Sequence, residues 1–593
     1  MFDLINVEKP ARYTGGEFNE ILKDHTQMLS SYAFCFPDTY EIGMSHLGMR
    51  ILYHIINNRE HTVCERVFAP WTDMEQLMRL NKVPLFSLET KKPVNEFDIV
   101  GFTLQYEMSY TNILNMLDLS GIPIRRQMRN EKDPIVMAGG PCAVNPAPLE
   151  NIIDLFIIGE AEEAINEVLD LYEKMKIENS SKDEFLNKVV EIEGVYVPKF
   201  YDFSKKIKKR IIRDLDKVPY PTAPIVPYLS IVHDRASVEL FRGCIRGCRF
   251  CQAGFIYRPV REKKASTLID QTQRILCETG YDEIGMVSLS TSDYSDLQNL
   301  CDGMLEQTEK RMVNISVPSM RIDNFSMDLM KRIQKVRKSG LTFAPEAGSQ
   351  RLRDVINKNI TEEEVLTSAK IAKEGGYDNI KLYFMLGLPT ETDDDIIAIS
   401  DLTHKVLEVF GRKSRINITV STSFFIPKPF TPFQWCSQIT KDEMLRRQKL
   451  LKSNIQNKKI KYNWHEFDIS IVESAISRGD KSTCEAIIKA WEKGSKFDSW
   501  NEYFDITRWV EAFKECELDI YEYASRSIPI NQKLPWDFID IGVTKSFLKK
   551  EYQKAFIEKT TDNCREKCNA CGIAKYKCGV CFENNQIQIQ KNR

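Results

Sequence analysis

From about residue 30 to 165, short apolar runs alternate with segments whose apolar positions recur at helical spacing. The runs "YAFCF" (32–36), "IVGFTLQ" (99–105), "PIVMAGG" (134–140) and "LFIIG" (155–159) each end in turn residues, and "GMRILYHIINN" and "YTNILNMLDLSG" between them read as helices. The alternation predicts a parallel sheet with helices on both faces, a doubly wound domain over residues 1–200. Ligands of such sheets bind beyond the carboxyl ends of the strands, where this segment places Asp38, Gly139 and Gly140.

A Pro- and Lys-punctuated stretch, "SKKIKKRIIRDLDKVPYPTAPIVP" (204–227), reads as a linker over 201–230, its basic cluster a solvated edge strand or a surface that touches RNA. Alternation resumes over 231–439 with strand candidates "SVELF" (237–241), "EIGMVSL" (283–289), "VNISVPSM" (313–320), "LTFAPEA" (341–347), "IKLYFML" (380–386) and "INITVSTSFF" (416–425), the helical pattern "TLIDQTQRILCETG" being the first between them. Six strand–helix units predict an open, partial β/α barrel. Residues 440–560 read as mainly helical, with Thr440/Glu443 and Ser470/Glu473 in capping-box spacing, and 561–593 as a Cys-rich module ending in the polar tail "NNQIQIQKNR".

Composition changes this picture little. Of 593 residues 42% are hydrophobic and 28% charged, with 82 Lys+Arg against 84 Asp+Glu, so no global field argues for nucleic acid or a membrane surface. The start "MFDLINVEKPARY" lacks a signal-peptide pattern, and no apolar run is long enough to span a bilayer, which predicts a cytoplasmic protein. There, 16 cysteines read as metal ligands or buried apolar residues rather than disulfides.

Two clusters share the spacing Cys-x-x-x-Cys-x-x-Cys: Cys244, Cys248 and Cys251 in "FRGCIRGCRFCQAG", and Cys564, Cys568 and Cys571 in "TDNCREKCNACG". Three thiolates satisfy three irons of a 4Fe–4S cluster and leave the fourth open to a ligand. The first cluster leaves the end of the first barrel strand, where barrel folds place chemistry; a structural zinc or redox site is the alternative. This motif, with aromatic Phe250 before its last Cys, resembles that of the radical S-adenosylmethionine (SAM) superfamily. The resemblance implies that the open iron chelates the amino and carboxylate groups of SAM, and that an electron from the cluster cleaves SAM to methionine and a 5′-deoxyadenosyl radical. It further implies SAM-binding loops at "SLSTSDY" (Ser290, Thr291), "APEAGSQRLR" (Glu346) and "LGLPTET" (Gly387, Pro389).

A doubly wound domain ahead of such a barrel resembles the cobalamin-binding subclass. Where the protein replaces the lower base of cobalamin, the first loop carries Asp-x-His-x-x-Gly; here "PDTYEIG" keeps Asp38 and Gly43 but puts Tyr40 at the histidine position. A phenol is a poor neutral cobalt ligand, so ligation by histidine from that position is excluded, although subclass members without it are common. Nearby His46 is a substitute ligand or an ordinary helix histidine. "AGGPCAVNPAPLE" (Gly139, Gly140) and "IIGEAEEA" (Gly159) resemble the later corrin-lining loops. The whole pattern, over about residues 10 to 581, resembles a bacterial family of cobalamin-binding-domain radical SAM proteins of unassigned substrate.

The second cluster continues with Cys578 and Cys581, so that Cys568/Cys571 and Cys578/Cys581 form two Cys-x-x-Cys pairs. Four thiolates so placed suit a closed zinc site, and Cys564 in addition opens an auxiliary iron–sulfur cluster as the alternative. The leading expectation is a radical SAM enzyme, cobalamin-dependent in methyl transfer or a related modification of an unknown substrate, reduced by a donor such as flavodoxin or ferredoxin. A radical SAM enzyme that uses its N-terminal sheet for substrate docking is the alternative. An RNA-binding or interaction protein is the reading from another class. Lys428, Trp435, His465 and Trp500 are candidates for the barrel mouth, with core packing or surface position as their bland explanation.

Overall fold

The computed structural model describes residues 4–202, 204–317, 341–411 and 414–583. Its first sheet is built from β1 (Ser30–Phe36), β2 (Thr62–Phe68), β3 (Ile99–Thr103), β4 (Ile135–Gly139), β5 (Leu155–Ile157) and β6 (Val195–Tyr196). The order is β2-β1-β3-β4-β5-β6, parallel except for β6. Helices cover both faces, so β1 is buried along its whole length and reads as a continuous apolar run. This doubly wound sheet places its ligand crevice where the order reverses, between β1 and β3.

The edge strand β2, "TVCERVF", was not among the strands read from the sequence, because Glu65 and Arg66 interrupt its apolar run. Both are buried and paired instead. Glu65 meets His25 at 2.7 Å, and Arg66 holds Glu17, Glu89 and Glu20 at 2.6, 2.7 and 3.0 Å.

The barrel strands are β7 (Ala236–Glu239), β8 (Glu283–Val287), β9 (Asn314–Ser316), β10 (Leu341–Glu346), β11 (Asn379–Leu386), β12 (Asn417–Phe424) and β13 (Ile460–Trp464). Among the described residues they form two parallel sheets, ordered β9-β8-β7 and β10-β11-β12-β13. β13 is one strand more than the six expected and falls inside the region read as helical. Its sequence "IKYNW" alternates, with Ile460, Tyr462 and Trp464 on one face, but it is only five residues long and follows the polar turn "QNKK"; it pairs with β12 from Ile418 to Thr422. Residues 318–320 of the third strand candidate and the C-terminal polar tail lie outside the described residues.

Helix Lys441–Asn454 opens on Thr440, which accepts the Glu443 N–H; Glu443 turns to Arg446 and Arg447 rather than closing a capping box. Ser470 is not a cap at all. It lies one turn inside Phe467–Ser477, its hydroxyl on the Glu466 carbonyl, and Glu473 reaches Lys428.

The expected linker is part of the fold: Ile207–Lys208 pair in parallel with Ile539–Asp540, and Lys209 is only 3% exposed. Within its basic run Lys208 pairs with Glu193 and Arg210 with Glu163 and Glu167, Lys209 turns inward, and Lys205 and Lys206 are exposed. Among the described residues no helix is long and apolar enough to cross a membrane.

Candidate active site

The loop "GCIRGCRFCQAGFIYRP" is closed at its base by Phe241–Arg242 pairing antiparallel with Arg261–Glu262. Gly243 enters it at φ +88°, where a Cβ would lie 2.8–2.9 Å from the carbonyl oxygens of Pro259 and Tyr257, so only glycine fits without displacement. Its arginines turn inward. Arg246 binds Asp293 beyond β8 at 2.5 Å. Arg249, fully buried, donates to the carbonyls of Asp354, Val355 and Lys559 and pairs with Glu551 at 3.1 Å. Arg258 donates to the carbonyls of Gly254 and Arg246.

With the arginines fastened, Cys244, Cys248 and Cys251 are left half-buried at the carboxyl end of the barrel. Burial first and the charge of Cys248 second push the Cys244 and Cys251 thiols up to about 12 and about 11. A positive centre among them is what holds all three as thiolates, as a coordinating metal does. Among the described residues no group of three His, Cys, Asp or Glu closes around a single metal ion. The donor set that fits here is three soft sulfurs for separate irons of one cluster.

Other strand ends converge on this loop. Glu346 ends β10 in the left-handed region at φ +68°, an uncommon place for a non-glycine residue. It pairs with Lys358 at 3.2 Å, and both lie within electrostatic reach of Cys251. Lys358 was missed from sequence; it stands 12 residues past Glu346, beyond a helix, and no local spacing marks it. Phe250 packs on the apolar cluster of Met385, Leu388 and Phe425, which brings the end of β11 beside Cys251. Gln252 donates to the Pro429 carbonyl beyond β12.

Of the remaining loop candidates, Ser290 and Thr291 are buried, Ser290 bonding Asp293 at 2.7 Å and Thr291 bonding Ser288 at 2.9 Å. Ser290 braces the cysteine loop through Asp293, which Arg246 also holds, and Val287, Ser288 and Leu289 are the residues there that face open space. Gly387 (φ +83°) donates its N–H to Glu391 at 2.8 Å, and Pro389 is half-buried. Glu391 also accepts from Arg447 at 2.6 Å.

Burial raises the Glu391 carboxyl to about 7, against the Gly387 N–H and Arg447, which lower it. The native state therefore holds this proton more tightly than the unfolded chain. The associated stability is complete below about pH 4.5 and is lost as pH rises through 7, roughly 3 kcal/mol in all. Glu391→Gln is expected to flatten the fall in Tm between pH 5 and pH 8 that the parent protein shows in thermal melts.

A cavity of about 420 Å³ lies between the two sheets. Gly139, Gly140 and Gly159 line it from the carboxyl ends of β4 and β5; Phe241, Arg242 and Gly243 line it from the barrel. It runs under the first sheet past Phe34, Phe102 and Ile51. Glu160 holds it shut at one side with both oxygens on Arg261 at 2.6 Å; burial opposes its ionisation, but Arg261 and Arg242 draw the carboxyl down to about 2. Lys209 also lines the cavity and donates to the Ile256 and Arg258 carbonyls, its ammonium lowered by burial to about 7.

Asp38, Tyr40 and Gly43 do not line this cavity. Asp38 accepts from Trp500 Nε1 at 3.1 Å and from Ser499, which ties the sheet to the C-terminal helices. Tyr40 is buried with its hydroxyl on Glu17, and Gly43 packs on Phe68 and Phe36. His46 does line it, as the cap of helix Leu47–Asn57. Its Nδ1 accepts the Met49 N–H at 3.2 Å, and burial lowers it to about 4, so it is neutral with its proton on Nε2.

Trp435 is buried in the core, Trp500 meets Trp71 edge to face with ring centroids 5.2 Å apart, and His465 is exposed at the end of β13. Lys428 bridges Glu107 of the first domain and Glu473 of the helical region at 2.8 and 2.9 Å.

The sequence pattern of the radical SAM superfamily matches residues 238–403, the span from β7 into the helix after β11, and that of radical SAM proteins, N-terminal, matches residues 48–198. The chain belongs to the radical SAM superfamily. It is a radical SAM enzyme, of a family that uses a 4Fe–4S cluster and SAM. An uncharacterized protein of Methanocaldococcus jannaschii is 29% identical over 459 residues, 77% of this chain and 90% of that one. An uncharacterized methyltransferase of Pyrococcus horikoshii is 22% identical over 52% of this chain and 64% of its own. Among solved structures, the cobalamin-dependent radical enzyme OxsB with aqua-cobalamin and SAM bound aligns over 95% of this chain and 81% of its own at TM-score 0.49 and 12% identity. The methyltransferase TsrM of Kitasatospora setae, with cobalamin and a 4Fe–4S cluster bound, aligns over 68% and 76% at 0.46 and 12%.

Proposed function

We propose that Cys244, Cys248 and Cys251 hold the 4Fe–4S cluster of this radical SAM enzyme, and that SAM binds at its open iron facing the cavity. The observation that carries the reading is the placement of the cysteine loop. It leaves the carboxyl end of the first barrel strand, and its two ends, Gly243 and Ile256–Tyr257, form part of the wall of a cavity roofed by the carboxyl ends of a doubly wound sheet. When bound, the cluster supplies the electron that cleaves SAM to methionine and a 5′-deoxyadenosyl radical, with a flavodoxin or ferredoxin as the class of reductant.

The protein's own part is orientation and exclusion of water. Arg246, Arg249 and Arg258 fix the loop, and Glu346 and Lys358 present opposite charges beside Cys251 for the ammonium and carboxylate of an amino-acid zwitterion. Lys358→Met is expected to raise the SAM dissociation constant about tenfold, read by equilibrium binding to the reconstituted protein.

In the same reading the cavity binds cobalamin, which supplies a methyl group for transfer to an unknown substrate or supports a related modification. The cavity wall of Gly139, Gly140 and Gly159 offers backbone without side chains to a flat macrocycle, and its apolar extension under the sheet suits the cofactor tail. Gly139 has room for a side chain, its nearest neighbour to a Cβ being the Ile157 carbonyl oxygen at 3.5 Å. Gly139→Trp is therefore expected to cut cobalamin retention about tenfold, ~1.4 kcal/mol, by filling the wall.

A second reading, a radical SAM enzyme that uses this sheet to dock substrate, is favoured by one observation: Tyr40 is buried away from the cavity and His46 is committed as a helix cap. Anaerobic reconstitution with iron, sulfide and hydroxocobalamin separates the two. Near-stoichiometric cobalamin after removal of unbound cofactor supports the first, and none supports the second.

A further inference from the structure

The structure divides the five C-terminal cysteines differently from their spacing. Cys564, Cys571 and Cys581 are 7%, 7% and 5% exposed and converge on one point, the Arg258 guanidinium. Cys564 and Cys581 adjoin each other, and Cys571 lies beside the guanidinium. Cys578 faces another way, toward Arg261, Arg213, Glu160 and Lys209, and Cys568 is half-exposed. The two Cys-x-x-Cys pairs are thus split, each giving one sulfur to the buried group.

Arg258 is itself buried at 3% exposure, its N–H groups otherwise on the Gly254 and Arg246 carbonyls, and the charges that act on it are those of these three cysteines.

The backbone is built for the same end. Residues 564–583 contain a short helical turn, Ile573–Tyr576, and Ala570, Gly572, Lys577 and Gly579 take positive φ to fold the chain back on itself. The module is fastened to the catalytic loop by Cys564 N–H to the Ile245 carbonyl and Val580 N–H to the Val260 carbonyl, both 3.0 Å. Ile573, Tyr576 and Val580 of the module are buried in the same core as the rest of the chain, which holds the three buried cysteines in place.

We propose that Cys564, Cys571 and Cys581 ligate a second iron–sulfur cluster, neutralised by Arg258, which also braces the first cysteine loop. Three buried thiolates leave one metal position open, the same stoichiometry as in the first loop. A closed structural zinc takes four protein ligands, and the fourth and fifth cysteines point elsewhere.

The test uses the full chain with Cys244, Cys248 and Cys251 replaced by alanine and reconstituted anaerobically with iron and sulfide. The expected result is about four irons and four sulfides per chain, with a low-spin EPR signal on reduction. Adding Cys571→Ala should remove both, and Cys568→Ala or Cys578→Ala should remove neither. Should the triple variant not fold, the parent protein and Cys571→Ser are compared, iron falling from about eight to about four per chain at unchanged circular dichroism. Stoichiometric zinc in place of iron, retention of iron after Cys571→Ala, or equal loss on replacing Cys568 or Cys578 would each overturn the proposal. Failure of the first-cluster reading is distinct, since it would leave the parent protein's iron unchanged when the first three cysteines are removed.

Discussion

Cys248→Ala is expected to abolish 5′-deoxyadenosine formation from SAM, a loss on the order of a thousandfold or more, while leaving the fold intact. The three sulfurs sit half-buried at the surface of the barrel mouth, and the loop is held by its arginines, not by its cysteines. Removing one thiol therefore takes away a cluster ligand without touching the contacts that shape the loop. Arg249→Ala is the informative contrast. It leaves all three sulfurs but exposes three carbonyls and Glu551 to an empty buried space, so it is expected to fail by destabilisation. Deoxyadenosine yield measured beside thermal unfolding separates the two outcomes.

Lys428→Met is expected to cost about 3–5 kcal/mol of stability, the largest stability effect of the substitutions considered. Burial works against the Lys428 ammonium, but Glu107 and Glu473 hold it well above its usual range. Tyr106 adds a hydrogen bond to Glu473 at 2.7 Å. Without the lysine, two carboxylates from different domains face each other in a buried space. Adding Glu107→Gln to Lys428→Met should recover part of the loss, because one of the stranded charges is gone. Denaturant unfolding of the single and double variants checks both parts; equal stability of parent and Lys428→Met would remove this ion pair from the account.

The chain announces its chemistry where the determinants are local. The first cysteine loop and the strands around it were legible because ligand spacing and apolar runs are short-range signals. Legibility failed where pairing is distant. β2 carries Glu65 and Arg66, whose partners stand 20 to 50 residues away, and β13 borrows its register from β12. Asp38 was read as a binding-loop residue because it ends β1, but its partner Trp500 is more than 460 residues on. Lys358 joins the site only because a helix folds it back onto Glu346. In the C-terminal module spacing marks five cysteines without saying which are buried together, and the structure buries Cys564, Cys571 and Cys581 more deeply than Cys568 and Cys578.

The most direct test of the central claim is the EPR spectrum of the reduced, reconstituted protein recorded with and without SAM. An open iron at Cys244, Cys248 and Cys251 predicts a 4Fe–4S signal that changes on adding SAM and is lost in Cys248→Ala. A reduced cluster whose spectrum is indifferent to saturating SAM would contradict the account.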